Sequence, residues 1–280
     1  MNRWFREGDS LAQCQTASPL DALEARMLLT HVTALTRVQL ITQSDRQLDA
    51  NQAERLSQLT QRRLNGEPIA YLLGEREFFG LLFQVTPDVL IPRPDTELLV
   101  ELALERTATD AHLLDLGTGS GAIAIAVAAQ DARRKISATD ISPAALAVAR
   151  DNAQRLLPAT SQPHFFESDW YQAIPRQLFD TIVSNPPYIV KADVHLSQGD
   201  LRFEPIDALT DHHDGLSAYR SIIDGAPEYL KENGWLLMKH GYHQADEVQD
   251  LLRAAGFDQV QSWQDIAGIW RVTGGVWRGK

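Results

Sequence analysis

Residues Asn185-Pro186-Pro187-Tyr188 follow a β-rich run, Asp180-Thr181-Ile182-Val183-Ser184, and combine residue types that suit one kind of chemistry. The Asn185 side-chain oxygen and the Pro186 carbonyl can each accept a hydrogen bond from a nitrogen that carries two hydrogens. The prolines hold the direction of the backbone, and the Tyr188 ring can lie on the face of a planar group. A planar amide or amino nitrogen delocalises its lone pair and attacks a methyl sulfonium poorly. Holding its two N–H bonds turns the lone pair toward the methyl carbon. A sulfonium already carries its leaving-group activation, so in-line positioning supplies much of the acceleration and neither a metal nor a covalent nucleophile is required. Asn-Pro and Pro-Pro also mark ordinary turns. The place directly after a buried strand, downstream of a glycine loop, favours the chemical reading.

That loop is Asp115-Leu116-Gly117-Thr118-Gly119-Ser120-Gly121, at a predicted strand-to-helix turn where glycines let the backbone approach a ligand. In the full dinucleotide fingerprint the third glycine comes one residue later. Asp140, 19 residues after Gly121 at the end of the next predicted strand, suits hydrogen bonds from ribose hydroxyls. Together these features specify a nucleoside cofactor. Asp115 would repel a pyrophosphate but attract the amino group of a methionine moiety, directly or through water, which favours S-adenosylmethionine over NAD. As a plain helix cap Asp115 would carry no such meaning. In Ser168-Asp169-Trp170, Trp170 can stack on adenine and Asp169 can accept from its amino group, although Trp170 suits a packed core equally well. His212 and His213 lack a nearby carboxylate cluster and read as solvated, so no metal is expected.

The elements that must position these residues are α/β. Leu113 to Leu116, Ile136 to Thr139, Phe165 to Glu167 and Phe179 to Ser184 read as strands, with helices over Ala122 to Ala129 and Pro143 to Leu156. The alternation predicts a parallel, doubly wound sheet. It is completed by a helix from about Leu216 to Leu230, a strand Trp235 to Met238, a helix Gln244 to Ala255 and terminal strands around Trp270 to Val272. Before it, helical spacing over Asp21 to Leu40 and Asn51 to Leu64 predicts a small helical domain. Phe78 to Val85 predicts a hairpin turning near Gly80. The expected organisation is a helical domain over 1–74, a hairpin linker over 75–91 and a catalytic domain over 92–280.

Composition narrows the class. With 44% hydrophobic and 22% charged residues in 280, the chain reads as globular. The net charge of −11 is concentrated late: residues 1–85 hold 9 Lys+Arg against 10 Asp+Glu, the remainder 17 against 27. Such a surface disfavours nucleic acid as a direct partner. Neither a signal peptide nor a membrane span is apparent, so a cytoplasmic location is expected. The single cysteine, Cys14, excludes an internal disulfide and reads as incidental.

Over nearly its whole length the chain resembles the HemK/PrmC family of release-factor glutamine methyltransferases. Besides Asn185 to Tyr188, the resemblance rests on Pro68-Ile69-Ala70-Tyr71-Leu72-Leu73-Gly74-Glu75-Arg76-Glu77-Phe78, Leu90-Ile91-Pro92-Arg93-Pro94-Asp95-Thr96-Glu97, Phe203-Glu204-Pro205 and Asp214-Gly215-Leu216. It implies a Rossmann-like class I methyltransferase domain and a helical amino-terminal domain that helps bind the substrate. It also implies methylation, from S-adenosylmethionine, of the glutamine in the Gly-Gly-Gln motif of class 1 peptide chain release factors. Gly117 to Gly121, Asp140, Trp170 and Asn185 correspond to cofactor contacts, and Asn185, Pro186, Pro187 and Tyr188 to the glutamine pocket. Arg93 and Glu97 fall beside the site, or form a structural ion pair between domains. One position departs from the family: Lys239 stands before His240-Gly241 where glutamate is usual. An adenine N6 methyltransferase would use the same tetrapeptide on a flipped base. An NAD oxidoreductase or a noncatalytic module could share the fold.

Overall fold

The structure is a computed structural model that describes residues 4–279; Met1 to Arg3, part of the amino-terminal stretch considered above, lie outside the described residues. The chain divides into two compact units, one up to Gly74 and one from Glu75 onward.

The first unit holds α1 (Leu11–Ala17), α2 (Ala22–Thr33), α3 (Arg37–Thr42), α4 (Ala50–Leu64) and α5 (Ile69–Leu73). Short polar residues start these helices. Ser10, Thr36 and Asp49 each form a reciprocal capping box with a glutamine three residues on, and Asp21 accepts from the Leu23 and Glu24 amides. The stretch of helical spacing from Asp21 to Leu40 spans two helices. Ala34 takes a left-handed conformation (φ 54°), and the Thr36–Gln39 box starts the chain again in a new direction. Leu11, Leu28, Leu29, Leu40 and Leu56 form the core, and Cys14 belongs to it instead of being incidental. Burial pushes the Cys14 thiol up to about 11, which leaves it unreactive.

The second unit opens with the hairpin β1 (Glu75–Phe78) and β2 (Leu81–Gln84). Both turn residues have positive φ, Phe79 at 51° and Gly80 at 75°, as a two-residue hairpin turn requires. Phenylalanine is an unusual choice there. Its amide donates to Glu97 Oε1 and that of Gly80 to Glu77 Oε1, so two carboxylates hold the turn. Glu97 thus has a local partner within this unit.

After α6 (Glu97–Arg106) come β3 (His112–Leu116), α7 (Ala122–Gln130), β4 (Lys135–Asp140), α8 (Pro143–Leu156), β5 (His164–Glu167) and β6 (Phe179–Ser184). Then follow α9 (Ile206–Leu209), α10 (Ser217–Tyr229), β7 (Leu230–Lys239), α11 (Ala245–Ala254), β8 (Asp258–Gln264) and β9 (Trp270–Trp277). Seven strands form one sheet in the order β5-β4-β3-β6-β7-β9-β8. The first five are parallel, but β9 runs antiparallel to both β7 and β8, so the sheet is mixed where an all-parallel one was expected. A short connection from Gln264 to Trp270 makes β8 and β9 a hairpin, and a parallel pair would have needed a crossover. The edge strand β8 had no strong signal because Asp258, Gln259, Gln261, Ser262 and Gln264 have low strand propensity. Helix α7 has every residue from Ala122 to Ala128 buried, which accounts for its unbroken apolar run.

Asn152 on α8 joins three pieces of this unit and carried no sequence signal. Fully buried, it accepts from the Gln84 amide at 2.7 Å and donates to the Gln84 and Ser120 carbonyls at 3.0 Å each. It fastens the hairpin and the glycine loop to one helix. Asn152→Ala leaves these groups without partners and is expected to lower the unfolding free energy by roughly 2–4 kcal/mol. Denaturant titration checks this, and an unchanged midpoint would remove the fastening role.

Candidate active site

Strand register brings the singled-out residues to one edge. Leu116 of β3 pairs with Thr139 of β4 and with Ser184 of β6, so Gly117, Asp140 and Asn185 are each the next residue at adjacent carboxyl ends. Asp140 pairs with Glu167 of β5, which places Ser168, Asp169 and Trp170 at the same edge. The chain leaves β3 for β4 on one side and reaches β6 on the other, and ligands of open α/β sheets bind at such a switch point. A hydrogen bond from the Ser184 hydroxyl to the Leu116 carbonyl, 2.8 Å, ties the two strand ends.

A cavity of about 300 Å3 opens there. Gly117, Thr118, Gly119, Ser120, Asp140, Asp169, Trp170, Asn185 and Pro187 all line it. Gly117 has φ 71°, and a side-chain carbon added to it would sit 3.7 Å from the Trp170 ring. The Asp140 carboxylate accepts from the Gly119 amide at 2.8 Å and the Ser142 amide at 2.9 Å, so it shapes the loop while facing the cavity. Burial raises its affinity for a proton, and those amides oppose the change. The Asn185 Oδ1 atom is buried without a hydrogen-bond partner in the protein.

Four singled-out residues are not on the cavity wall. Gly121 has φ 82°, and a side-chain carbon there would come within 2.7 Å of Ile125 and 3.2 Å of Ala149; it allows α7 to pack on α8. Asp115 is fully buried behind the loop, where its Oδ2 accepts from the Thr118 hydroxyl at 2.6 Å and the Ala124 amide at 3.2 Å. Pro186 is buried. The Tyr188 hydroxyl accepts from Lys239 Nζ at 2.9 Å, and the Tyr188 carbonyl accepts from Gln244 Nε2 at 3.2 Å. His212 places Nε2 2.6 Å from the Asp207 carboxylate, a partner the sequence reading did not assign.

Residues 9–74 match the family model of the PrmC N-terminal domain, and residues 94–200 match that of the methyltransferase small domain. A release factor glutamine methyltransferase of Burkholderia pseudomallei (strain K96243) is 53% identical over 270 residues, covering 94% of this chain and 95% of that protein. One from Escherichia coli (strain K12) is 43% identical over 271 residues, covering 96% of each. The chain belongs to the release factor glutamine methyltransferase family. A methyltransferase from Pyrococcus furiosus, 19% identical with a TM-score of 0.55 over 80% of this chain and 100% of that one, shares the fold. Membership in a methyltransferase family sets the nicotinamide alternative aside.

Several wall residues of this family member carried no separate chemical signal. Arg93 lines the cavity and forms an ion pair with Glu204 of the same unit. The Glu204 carboxylate, fully buried, also accepts from the Ile91 amide at 3.0 Å. It thereby pins Pro92 and Arg93 against Pro205, which lines the same cavity. Ile141 is apolar and largely exposed on the lip next to Asp140. A charged residue inside Phe203-Glu204-Pro205 was visible in the sequence, but its partner, more than a hundred residues away, was not.

Burial pushes the Asp115 carboxyl up to about 7, with the Thr118 hydroxyl and Ala124 amide working against that change. The folded protein therefore keeps a proton that the unfolded chain releases near pH 3.8. Stability from this group is complete below that pH and is lost as pH rises to about 7. Asp115→Asn should remove the loss, so its unfolding free energy relative to the native protein should grow by a few kcal/mol between about pH 4 and 7. Denaturant titrations of both proteins across that range check this; a difference that does not vary with pH would mean the carboxyl is ionised throughout.

Proposed function

We propose that the chain transfers a methyl group from S-adenosylmethionine to the side-chain amide nitrogen, N5, of the glutamine in the Gly-Gly-Gln motif of class 1 peptide chain release factors. The observation that carries this reading is the unpartnered, buried Asn185 Oδ1 in a residue that lines the cavity. Leaving a buried acceptor unpaired costs about 1–3 kcal/mol, a cost that a donor on the substrate would remove. A primary amide brings two such donors. One N–H would donate to Asn185 Oδ1 and the other to the Pro186 carbonyl, leaving the nitrogen lone pair directed at the cavity. The Tyr188 ring would bound the planar amide, and the prolines would keep the carbonyl direction constant.

The cavity residues fit the cofactor. Asp140 has acceptor capacity at the strand end where ribose hydroxyls would lie, and Gly117 to Ser120 leave the backbone open to close approach. Trp170 and Asp169 would flank the adenine, with Ile141 at the lip. Asp115 and Gly121 would act from behind by holding the loop, Asp115 through Thr118 and Gly121 through helix packing. When bound, S-adenosylmethionine supplies an electrophilic methyl carbon and a sulfur that leaves as the neutral thioether of S-adenosylhomocysteine. The residues' part is to exclude competing water and hold the amide in line, after which the alkylated nitrogen gives up its proton. No metal takes part in this reading. We further propose that the helical unit over residues 1–74 helps bind the release factor, that the reaction is cytoplasmic, and that neither nucleic acid nor membrane is a direct partner. Among the described residues no helix is long and apolar enough to cross a membrane.

Transfer of a labelled methyl group to purified release factor, beside a Gly-Gly-Ala version and an adenine-containing oligonucleotide, tests the acceptor. Label only in the Gly-Gly-Gln protein is expected; label in the oligonucleotide would move the assignment to adenine N6. Asn185→Ala should keep cofactor binding and lose about 10²-fold or more in turnover. Undiminished turnover would remove the pocket. Asp140→Ala should act mainly on cofactor affinity, and a normal cofactor titration would count against its ribose contact.

A further inference from the structure

Behind the Asn185 to Tyr188 turn lies a buried charge cluster centred on Lys239. Lys239 ends β7 with only 2% of its side chain exposed. Its Nζ is 2.9 Å from the Tyr188 hydroxyl, 3.3 Å from Asp95 Oδ2 and 5.0 Å from the centre of the Tyr188 ring. Asp95 Oδ2 is shared with Arg271 Nε at 3.3 Å, and Arg271 Nε also meets Asp265 at 3.3 Å. The four side chains carry two positive and two negative charges, so Lys239 balances this cluster.

Burying an ammonium is costly, and an apolar side chain of the same volume would often pack at least as favourably. Specific direction is what the lysine adds. An ammonium only donates, so the Tyr188 oxygen must accept from it, and the phenolic hydrogen then points away from Nζ. The backbone of Tyr188 is held independently. Gln244, itself buried, donates to the Tyr188 and Gly215 carbonyls at 3.2 and 3.1 Å while accepting from the Gly241 amide at 2.9 Å. Lys239 is therefore placed to govern the ring and hydroxyl of Tyr188 while Gln244 governs its main chain. Asp95, the counter-charge, belongs to the same short segment as Arg93 and Thr96, which line the cavity.

We propose that Lys239 is a positioning residue for methyl transfer: by donating to the Tyr188 hydroxyl it sets the orientation of the ring that bounds the acceptor amide. This rests on the reading of Asn185 to Tyr188 as the glutamine pocket. Lys239 acts through Tyr188 and touches neither cofactor nor acceptor.

A double-mutant cycle on the full chain tests it, with turnover of release-factor methylation measured at saturating S-adenosylmethionine for the native enzyme, Lys239→Met, Tyr188→Phe and the double variant. Loss of a hydrogen bond from a charged donor should lower turnover roughly tenfold in Lys239→Met, with the Michaelis constant for the cofactor unchanged. In the Tyr188→Phe background the same substitution should add less than about twofold, because the group through which it acts is gone. Equal losses in both backgrounds, or none in either, would overturn the proposal. Thermal unfolding and cofactor titration accompany each variant. If Lys239→Met does not fold, Lys239→Gln, which keeps a neutral donor beside Asp95, is carried through the same cycle. Its loss of turnover, smaller because an amide can still donate, should shrink below about twofold in the Tyr188→Phe background, and a loss equal in both backgrounds, or none in either, would overturn the proposal. Absence of transfer by the native enzyme would instead defeat the reading of the pocket itself, so the two failures are distinguishable.

Discussion

Pairing of β3 with β4 on one flank and β6 on the other is the constraint on which the remaining structure depends. Because Leu116 is level with both Thr139 and Ser184, three chain segments leave the sheet side by side, and each starts with a residue suited to bind or react. A slip of one residue would turn every side chain of a strand to the opposite face, and because both faces are apolar it is the fit of particular side chains in each cluster that enforces this register. Leu113 and Val183 pack into one core cluster, while Leu114 and Ile182 pack into the other. The site thus inherits its alignment from hydrophobic burial that involves none of its own polar groups.

Polar groups behind the cavity then remove the freedom that burial leaves. Asn152 ties the glycine loop to α8, Glu204 ties Arg93 to the Phe203–Pro205 segment, and Gln244 ties Tyr188 to Gly215 and Gly241. His240 adds another tie, with Nε2 2.9 Å from the Thr273 hydroxyl of β9. Burial lowers the affinity of His240 for a proton, so the ring is held as a neutral hydrogen-bonding group. Each tie depends on a side chain whose partner lies on a different element. A buried amide or carboxylate in such a place is costly if its partner is lost, which makes these contacts directional where apolar packing is not.

Asn185 departs from this pattern of satisfied groups, as do Thr96 on the same wall and Asp115 and Thr139 behind it, and its place gives the departure meaning. Its neighbours Ser184 and Tyr188 have partners within the protein, whereas its own Oδ1 has none. Asp95 shows why an unpaired atom alone is weak evidence. Its Oδ1 is also buried and unpaired, but the other oxygen is held by two cations and the residue faces a charge cluster, not an open wall. At Asn185 an unsatisfied amide oxygen coincides with the cavity wall and the carboxyl end of a central strand, whereas the unpaired Thr96 hydroxyl on the same wall follows no strand.

Local signals were legible where they depend on neighbours in the chain. The limits of β6 and α8, the glycine loop and the Asn185 to Tyr188 turn could be read because periodicity, proline and glycine act within a few residues. The break at Ala34, the polar edge strand β8 and the antiparallel course of β9 were not, since each reflects a choice made by tertiary pairing over local propensity. Among the site residues, the types of Asn185, Asp140 and Trp170 were enough to suggest their chemistry. Whether Asp115 faced a ligand or sat behind the loop depended on which side of the strand end Thr118 and Ala124 occupied. The sequence by itself determined the family, the order of the central strands and helices and the Asn185 to Tyr188 tetrapeptide, because these reside in short stretches of residues. Only the tertiary structure decided that Lys239 reaches Tyr188 and Asp95, and that Glu204 reaches Arg93. Those pairs join residues far apart in the chain, and their contacts exist only once the sheet has brought the segments together.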